Sequence, residues 1–192
     1  MYEREADALA ATLGVDGIAI SGRRIAVIDS GDGLLALALA SRLGAASVHA
    51  FDDDGCNTET LGVLSGYFTG QPELPGTLRF LPTRPYEVPG EPDGYDLVVW
   101  WGDVGTRRDT VRMLREIARL VAPQGHVLLR APASGTPSAD VLGQAVLAAG
   151  LATARLEVDA VAVRPDLEQR ALPLSALALR GARLVAFRPL AP

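Results

Sequence analysis

A chain of 192 residues, of which 48 % are apolar and 21 % charged, has the size and composition of one globular domain, and we expect residues 1–192 to form one. The formal net charge of −5 argues against a broad nucleic-acid-binding surface, and all 18 basic residues are arginine, which excludes lysine Schiff-base chemistry. One cysteine and two histidines are too few for a Cys/His zinc site, so we expect no metal.

The hydrophobic stretches of the chain are short. None reaches the roughly 18 apolar residues of a membrane-spanning helix, and no basic segment precedes an apolar one as in a signal peptide. We therefore expect a cytoplasmic protein without a membrane partner.

The N-terminal segment, residues 1–22, is predicted to be a helix and a lead-in to the rest of the domain. Its apolar residues recur at helical spacing and a glycine ends the pattern, which predicts a helix over Tyr2–Leu13 that packs against the sheet. The core of the domain is expected over residues 24–187.

Two predicted strands near the start of this core each end in aspartate. Arg24–Ile28 is a short apolar run of β-forming residues, as expected for a parallel strand buried on both faces, and Asp29 follows it. Ser47–Phe51 predicts the next strand, and Asp52 follows that one.

A glycine turn and a helix connect these two strands. Gly31 and Gly33 permit a tight turn because they lack a Cβ atom. Leu34–Leu43 is rich in alanine and leucine, which predicts a helix, and Gly44 ends it. Together these elements are half of a nucleotide-binding β-α-β unit.

The charge of the turn separates two classes of ligand. Gly31-x-Gly33-x-x-Ala36, with Asp52 about 20 residues further on, fits the fingerprint of dinucleotide-binding proteins. A pyrophosphate at a helix N-terminus is disfavoured by nearby anions, however, and Asp29 and Asp32 flank this turn. S-adenosylmethionine carries an ammonium and a sulfonium and no phosphate, so an acidic turn suits it better.

The rest of the chain continues the alternation of strands and helices. The further predicted strands are Leu78–Leu81, Tyr95–Trp101, His126–Leu129, Ala152–Val163 and Ala182–Phe187. The further predicted helices are a short one from Asn57 or Thr58 to about Ser65, then Thr110–Val121 and Ser138–Ala149.

Functional side chains are expected where the strands end, because ligands of open parallel sheets bind beyond the carboxyl ends of the strands. Trp101 and Asp103, after the fourth strand, should then lie beside Asp29 and Asp52. His126 begins its strand at the opposite end, and His49 lies inside the second strand, so neither is a good candidate catalyst.

The stretch from Asp29 to Gly33 resembles motif I of the class I S-adenosylmethionine-dependent methyltransferases, an acid-x-Gly-x-Gly-x-Gly turn after the first strand. Asp29, Gly31 and Gly33 match the motif, and Leu35 stands where the third glycine is usual. The fourth strand with its bulky end, and the following helix and Pro-x-Gly turn, resemble later segments of the same family.

The resemblance implies roles for individual residues. Asp29 would face the methionine ammonium, and Asp52 would hold the ribose hydroxyls. Asp53 stands where an apolar residue often lies against adenine, and Thr83 where an acid often binds the adenine amine. The turn itself would approach the cofactor with three residues, Ser30, Gly31 and Gly33.

Two residues after the fourth strand are assigned to the transfer site. Trp101 would add a cation–π contact near the sulfonium. Asp103 is the only titratable side chain expected at this strand end, and we expect it to be the general base for a protonated acceptor.

For the whole chain, the resemblance implies a Rossmann-like three-layer α/β/α sandwich with a mostly parallel seven-stranded sheet and an antiparallel last strand. The expected function is methyl transfer from S-adenosylmethionine to a small-molecule acceptor, with a homodimer as one possible assembly. Two alternatives stay open: a catalytically degenerate methyltransferase-like domain that acts as a structural or regulatory partner subunit, and an NAD(P)-dependent oxidoreductase.

Overall fold

A computed structural model describes residue 10 and residues 17–53, 61–62, 77–84, 86–101, 109–131, 139–158 and 182–189. Most of the predicted N-terminal helix and of the short helix predicted near Thr58 lies outside these residues, and so does Asp103.

Seven strands and three helices have their bounds among the described residues. The strands are β1 (Arg24–Ile28), β2 (Ser47–Asp52), β3 (Thr77–Pro82), β4 (Tyr95–Trp100), β5 (Val121–Ala131), β6 (Ala152–Val158) and β7 (Ala182–Phe187). The helices are α1 (Leu34–Ser41), α2 (Thr110–Leu120) and α3 (Ala139–Ala148).

The strands form one sheet in the order β3-β2-β1-β4-β5-β7-β6. The five neighbours from β3 to β5 are parallel, and β7 runs antiparallel to both β5 and β6. The predicted α/β Rossmann-like fold with a parallel sheet is therefore confirmed. Since β2 and β4 lie on opposite sides of β1, the carboxyl end of β1 is at the topological switch point where ligands bind in such sheets.

The central strand β1 contributes to both faces of the sheet. Ile25 and Val27 pack with α1 on one face, and Ala26 and Ile28 pack with α2 on the other. This alternation is the ordinary side-chain geometry of a strand, and all four side chains are buried because helices cover both faces.

The helix α1 ends two residues earlier than predicted. Leu34–Leu43 was the predicted span, but the helix ends at Ser41, and the chain then turns through Gly44 at φ 67°. The Ala45 N–H donates back to the Leu39 carbonyl at 3.2 Å, which satisfies one of the last carbonyls of the helix.

The boundary between α2 and β5 also differs from the prediction. Val121 was predicted to end the helix, but it is extended and pairs with Tyr95 of β4. The pairing then jumps to Leu97 opposite His126, so residues 122–125 form a bulge within β5, in which Gln124 has a φ of 63°. Only the part from His126 onward corresponds to the predicted strand.

Candidate functional site

The carboxyl ends of three adjacent strands meet at one level of the sheet. Ile28 of β1 is in register with Phe51 of β2 and with Trp100 of β4. Hydrogen bonds continue one step past the strand ends, from the Ser30 N–H to the Phe51 carbonyl (3.1 Å) and from the Trp101 N–H to the Ile28 carbonyl (3.0 Å). Asp29, Asp52 and Trp101 are therefore brought to the same edge, as the sequence predicts.

The glycine turn after β1 has an unusual backbone. Asp29, Gly31 and Gly33 all have positive φ, at 54°, 56° and 72°. Such angles are easy for glycine and uncommon for aspartate, and they occur often at functional sites, where the surroundings over-determine the conformation. The Gly33 N–H closes the turn by donating to the Ser30 carbonyl at 3.0 Å.

The two glycines serve different purposes. A Cβ atom on Gly33 would lie 2.5 Å from Cε1 of Phe80, so Gly33 is required by the packing of the turn on β3. A Cβ atom on Gly31 would meet nothing within 4 Å. Gly31 therefore faces open space, into which a ligand could approach the backbone.

The Asp52 carboxylate holds this turn from the neighbouring strand. The side chain is only 8 % exposed, and its Oδ2 accepts a hydrogen bond from the Gly31 N–H at 2.7 Å. A carboxylate can accept at about four lone-pair positions, so this bond does not exhaust its capacity. The proposed contact of Asp52 with a ribose remains a prediction.

The Asp29 carboxylate is held from the other side of β1. Its Oδ2 accepts from Nε1 of Trp100 at 2.7 Å, across 71 positions of sequence. Trp100 is fully buried in the apolar cluster on the α2 face. Sequence reasoning placed Trp101 in the site and missed Trp100; the available signal was that a buried tryptophan requires an acceptor for its N–H.

Ser30 contributes a buried hydroxyl to the turn. The residue is 2 % exposed, and its Oγ has no hydrogen-bond partner among the described residues. Buried hydroxyls without partners are uncommon in native structures, because the lost hydration is not replaced. This atom is thus a candidate contact for a polar ligand group.

Three further sequence-predicted residues, Thr83, Asp53 and Trp101, flank this centre. The Thr83 N–H donates to the Asp52 carbonyl at 2.8 Å, which places Thr83 beside the end of β2. Asp53 is exposed, and Trp101 is partly buried against the apolar cluster on the α1 face. Asp103, the predicted general base, lies outside the described residues.

A cavity of about 500 Å³ lies next to Thr83, between the β3–β4 connection and α2. Arg119 of α2 ties this connection down by donating to the carbonyls of Val88 (2.8 Å) and Gly90 (2.7 Å). The lining residues are Pro82, Thr83, Arg84, Glu87, Val88, Pro89, Glu116 and Arg119.

Both histidines lie away from this edge. His49 is half-buried, and its Nδ1 is 2.8 Å from the Tyr95 hydroxyl. Burial lowers the pKa of His49, with a smaller contribution from Arg79, and burial raises the pKa of Tyr95. His126 is level with Leu97, three residues before the end of β4, which agrees with the expectation that it lies away from the site.

The described residues contain neither a metal-binding cluster nor a membrane-spanning helix. No group of three or more His, Cys, Asp or Glu side chains there could hold a metal ion. No helix in this part of the chain is long and apolar enough to cross a bilayer.

The residues present fit S-adenosylmethionine. Two carboxylates can accept hydrogen bonds from its ammonium and its ribose hydroxyls, open space faces Gly31, and the buried Ser30 hydroxyl lies in the same turn. The pyrophosphate of a dinucleotide would instead be placed next to these two carboxylates.

No protein-family model and no curated protein matches the chain in sequence. Solved structures do match it in fold. A protein from Galdieria sulphuraria described as a sarcosine dimethylglycine methyltransferase superposes with a TM-score of 0.72 at 15 % identity, covering 97 % of this chain and 85 % of the other. The magnesium protoporphyrin IX methyltransferase of Synechocystis PCC 6803 with bound S-adenosylhomocysteine superposes with a TM-score of 0.69 at 17 % identity, covering 97 % and 83 %.

The [4+2]-cyclase SpnF also matches, with a TM-score of 0.70 at 16 % identity, covering 98 % of this chain and 82 % of that one. At such identities the likeness establishes the fold and leaves the reaction open. Strand order, the glycine turn after β1 and these superpositions lead to the same conclusion: the chain has the fold of the class I S-adenosylmethionine-dependent methyltransferases.

Proposed function

We propose that the protein binds S-adenosylmethionine at the carboxyl edge of the sheet and transfers its methyl group to a small-molecule acceptor. The observation that carries this proposal is the pair of carboxylates, Asp29 and Asp52, on either side of an open glycine turn. A cationic ligand with hydroxyl groups is attracted to such a turn, and a pyrophosphate is repelled by it.

In this proposal Asp29 accepts from the ammonium of the methionine group and Asp52 from the ribose hydroxyls. Charge-assisted hydrogen bonds of this kind are short and strong. Ser30, Gly31 and Gly33 form the backbone surface along which the ligand lies, with Thr83 and Asp53 towards the adenine. The bound cofactor supplies an electrophilic methyl group on a positively charged sulfur.

The chain's own residues then have two tasks in the reaction. Holding the acceptor in line with the methyl group supplies much of the acceleration, because proximity removes an entropic cost. Trp101 forms one wall of the transfer site. Asp103 removes a proton from the acceptor if the acceptor binds in its protonated form.

A small molecule is the preferred acceptor class. The chain carries a formal net charge of −5, which is unfavourable for nucleic acid. The structural relatives include enzymes whose names give substrates as different as sarcosine and a magnesium porphyrin, so the fold does not choose among small molecules.

The test is titration calorimetry of the full chain with S-adenosylmethionine, S-adenosylhomocysteine and NADH. We expect micromolar binding of both adenosyl ligands and none of NADH. Binding of NADH alone would support the oxidoreductase and overturn the proposal. Absence of binding for all three would favour a degenerate domain with a structural or regulatory role.

Turnover is tested separately, because the same fold occurs in a cyclase. A panel of small amines, carboxylates and phenols is incubated with labelled S-adenosylmethionine, and Asp52→Ala serves as the binding-deficient control. At a low concentration of S-adenosylmethionine, we expect label transfer to at least one acceptor in the wild type and much less transfer in the control.

A further inference from the structure

We propose that Trp100 is a positioning residue, whose buried indole N–H fixes the Asp29 carboxylate and thereby gives the site its selectivity for ligands that carry an amino-acid end. The inference rests on the proposed binding of S-adenosylmethionine. It concerns a contact within this chain, the 2.7 Å hydrogen bond from Nε1 of Trp100 to Oδ2 of Asp29.

Asp29 has an unusual backbone conformation. Its φ of 54° is a conformation that residues with a Cβ seldom adopt, and the turn after it is held by backbone hydrogen bonds of Ser30 and Gly33. The backbone is therefore fixed, but an aspartate side chain can still rotate about two bonds. A contact that fixes the direction of the carboxylate before binding spares the ligand the entropic cost of ordering this side chain.

Trp100 has the rigidity that this selection requires. It is 0 % exposed, it lies in register with Ile28 and Leu129, and its ring packs in the cluster that contains Phe51 and Met113. The indole nitrogen can only donate, so its partner must be an acceptor. Since the carboxylate is planar, holding Oδ2 also sets the direction of Oδ1.

The two acids of the site are fixed in different ways, and this makes the inference testable. Asp52 is held by the backbone N–H of Gly31, which no substitution removes cleanly. Asp29 is held by a side chain that can be replaced. Trp100→Phe removes the N–H donor and keeps an aromatic ring in the core.

The experiment compares two ligands by calorimetry. S-adenosylhomocysteine has the amino-acid end, and 5′-methylthioadenosine lacks it but keeps the adenosine and the sulfur. We expect Trp100→Phe to weaken the binding of S-adenosylhomocysteine by about 10- to 150-fold, the scale of one hydrogen bond to a charged group, and the binding of 5′-methylthioadenosine by less than about twofold. Asp29→Ala should give the same pattern, and the double variant should be no weaker than Asp29→Ala alone.

Phe51→Leu is the matched packing control. Phe51 lies in the same cluster and carries no donor, so its truncation should affect the two ligands equally. If Trp100→Phe also weakens both ligands equally, or weakens neither, the positioning role is wrong. If the wild type binds neither ligand, the proposed function is wrong. This result differs from failure of the Trp100 role alone, in which the wild type still binds both ligands.

A second measurement covers the case in which Trp100→Phe does not fold. In ¹⁵N-labelled protein, the indole resonance of Trp100 should lie downfield because its N–H is bonded to a carboxylate. Asp29→Asn, which keeps the tryptophan and removes the charge, should move this resonance upfield. An unchanged resonance in Asp29→Asn would overturn the inference.

Discussion

The two ends of the parallel strands use aspartate differently. At the amino end, Asp96 of β4 accepts from the backbone N–H of Arg24 (2.9 Å) and forms a salt bridge with its guanidinium (3.0 Å). At the carboxyl end, Asp29 accepts from an indole and Asp52 from a backbone amide, and both of these donors are neutral.

This difference distinguishes a structural acid from a candidate functional one. A full positive charge neutralises Asp96 and ties β4 to β1, and Arg24 holds the pKa of Asp96 below its usual range. A neutral donor orients a carboxylate without cancelling its charge. The indole and amide donors therefore do not offset the charge of Asp29 and Asp52, whereas the guanidinium of Arg24 offsets that of Asp96.

The largest effect is expected for the proposed general base. Asp103→Asn should lower turnover by about 10²- to 10⁴-fold with cofactor affinity nearly unchanged, because proton removal from the acceptor is lost while binding is kept. The measurement is steady-state turnover with an identified acceptor, beside calorimetry of the cofactor.

The matched control for Asp103 lies at the other end of the strands. His126→Gln replaces a titratable side chain near the amino end and should leave turnover unchanged. A small and pH-independent loss in Asp103→Asn would mean that positioning alone drives the reaction. An equal loss in His126→Gln would contradict the division between the two ends.

The second prediction concerns the glycine turn. Gly33→Ala should lower the free energy of unfolding by about 2–4 kcal/mol. The backbone of residue 33 has a positive φ, which disfavours any side chain, and an added Cβ would lie 2.5 Å from Phe80. Gly31→Ala should cost only about 1–2 kcal/mol, since its Cβ meets nothing within 4 Å. Urea unfolding of both variants measures the difference.

The same pair separates two effects of a side chain in the turn. Gly31 and Gly33 both have positive φ, but only at Gly33 does an added Cβ clash with Phe80. Gly31→Val should therefore obstruct the ligand more than it destabilises the fold, and equal stability losses at both glycines would contradict this reading.

The third prediction tests the acid after β2. Asp52→Ala should weaken the binding of S-adenosylhomocysteine by about 1.5–3 kcal/mol, the scale of a charge-assisted hydrogen bond. Asp52→Asn keeps an acceptor for the Gly31 N–H and should lose less binding free energy. If Asp52→Ala binds as tightly as the wild type, Asp52 serves only to hold the turn.

The smallest effect is expected at the amino end. Asp96→Asn should lower the free energy of unfolding at pH 7 by about 0.5–1 kcal/mol, because the salt bridge is partly exposed, with Arg24 50 % and Asp96 23 % exposed. The pKa of Asp96 is lower in the folded protein than in the unfolded chain, where it is about 3.9. This stabilisation is present above that value and lost as the pH falls through the folded pKa.

Urea unfolding of the wild type and of Asp96→Asn, at pH 7 and at pH 2.5, checks the sign of this pH dependence. The difference should be larger at pH 7 than at pH 2.5. A difference of the same size at both values would mean that the amino end is held by packing and that the charge of Asp96 contributes little.

The sequence by itself determined the order of the elements and the edge at which the candidate site lies. Local patterns were sufficient for this: the buried run of β1, the glycines after it and the apolar spacing of α1 and α2 are each readable within about a dozen residues. The bounds of β7 were predicted correctly, and those of β3, α2 and α3 within a residue.

Only the tertiary structure decided which atoms meet at that edge. Asp29 accepts a hydrogen bond from Trp100, 71 positions further along the chain, and Asp52 accepts one from Gly31, 21 positions before it. Gly33 packs on Phe80 of β3, an edge strand that is not adjacent to β1. These contacts depend on strand order and register, which are set by the packing of distant segments, so no local pattern records them. For this reason the sequence indicated Trp101, whereas the buried partner of the first acid is Trp100.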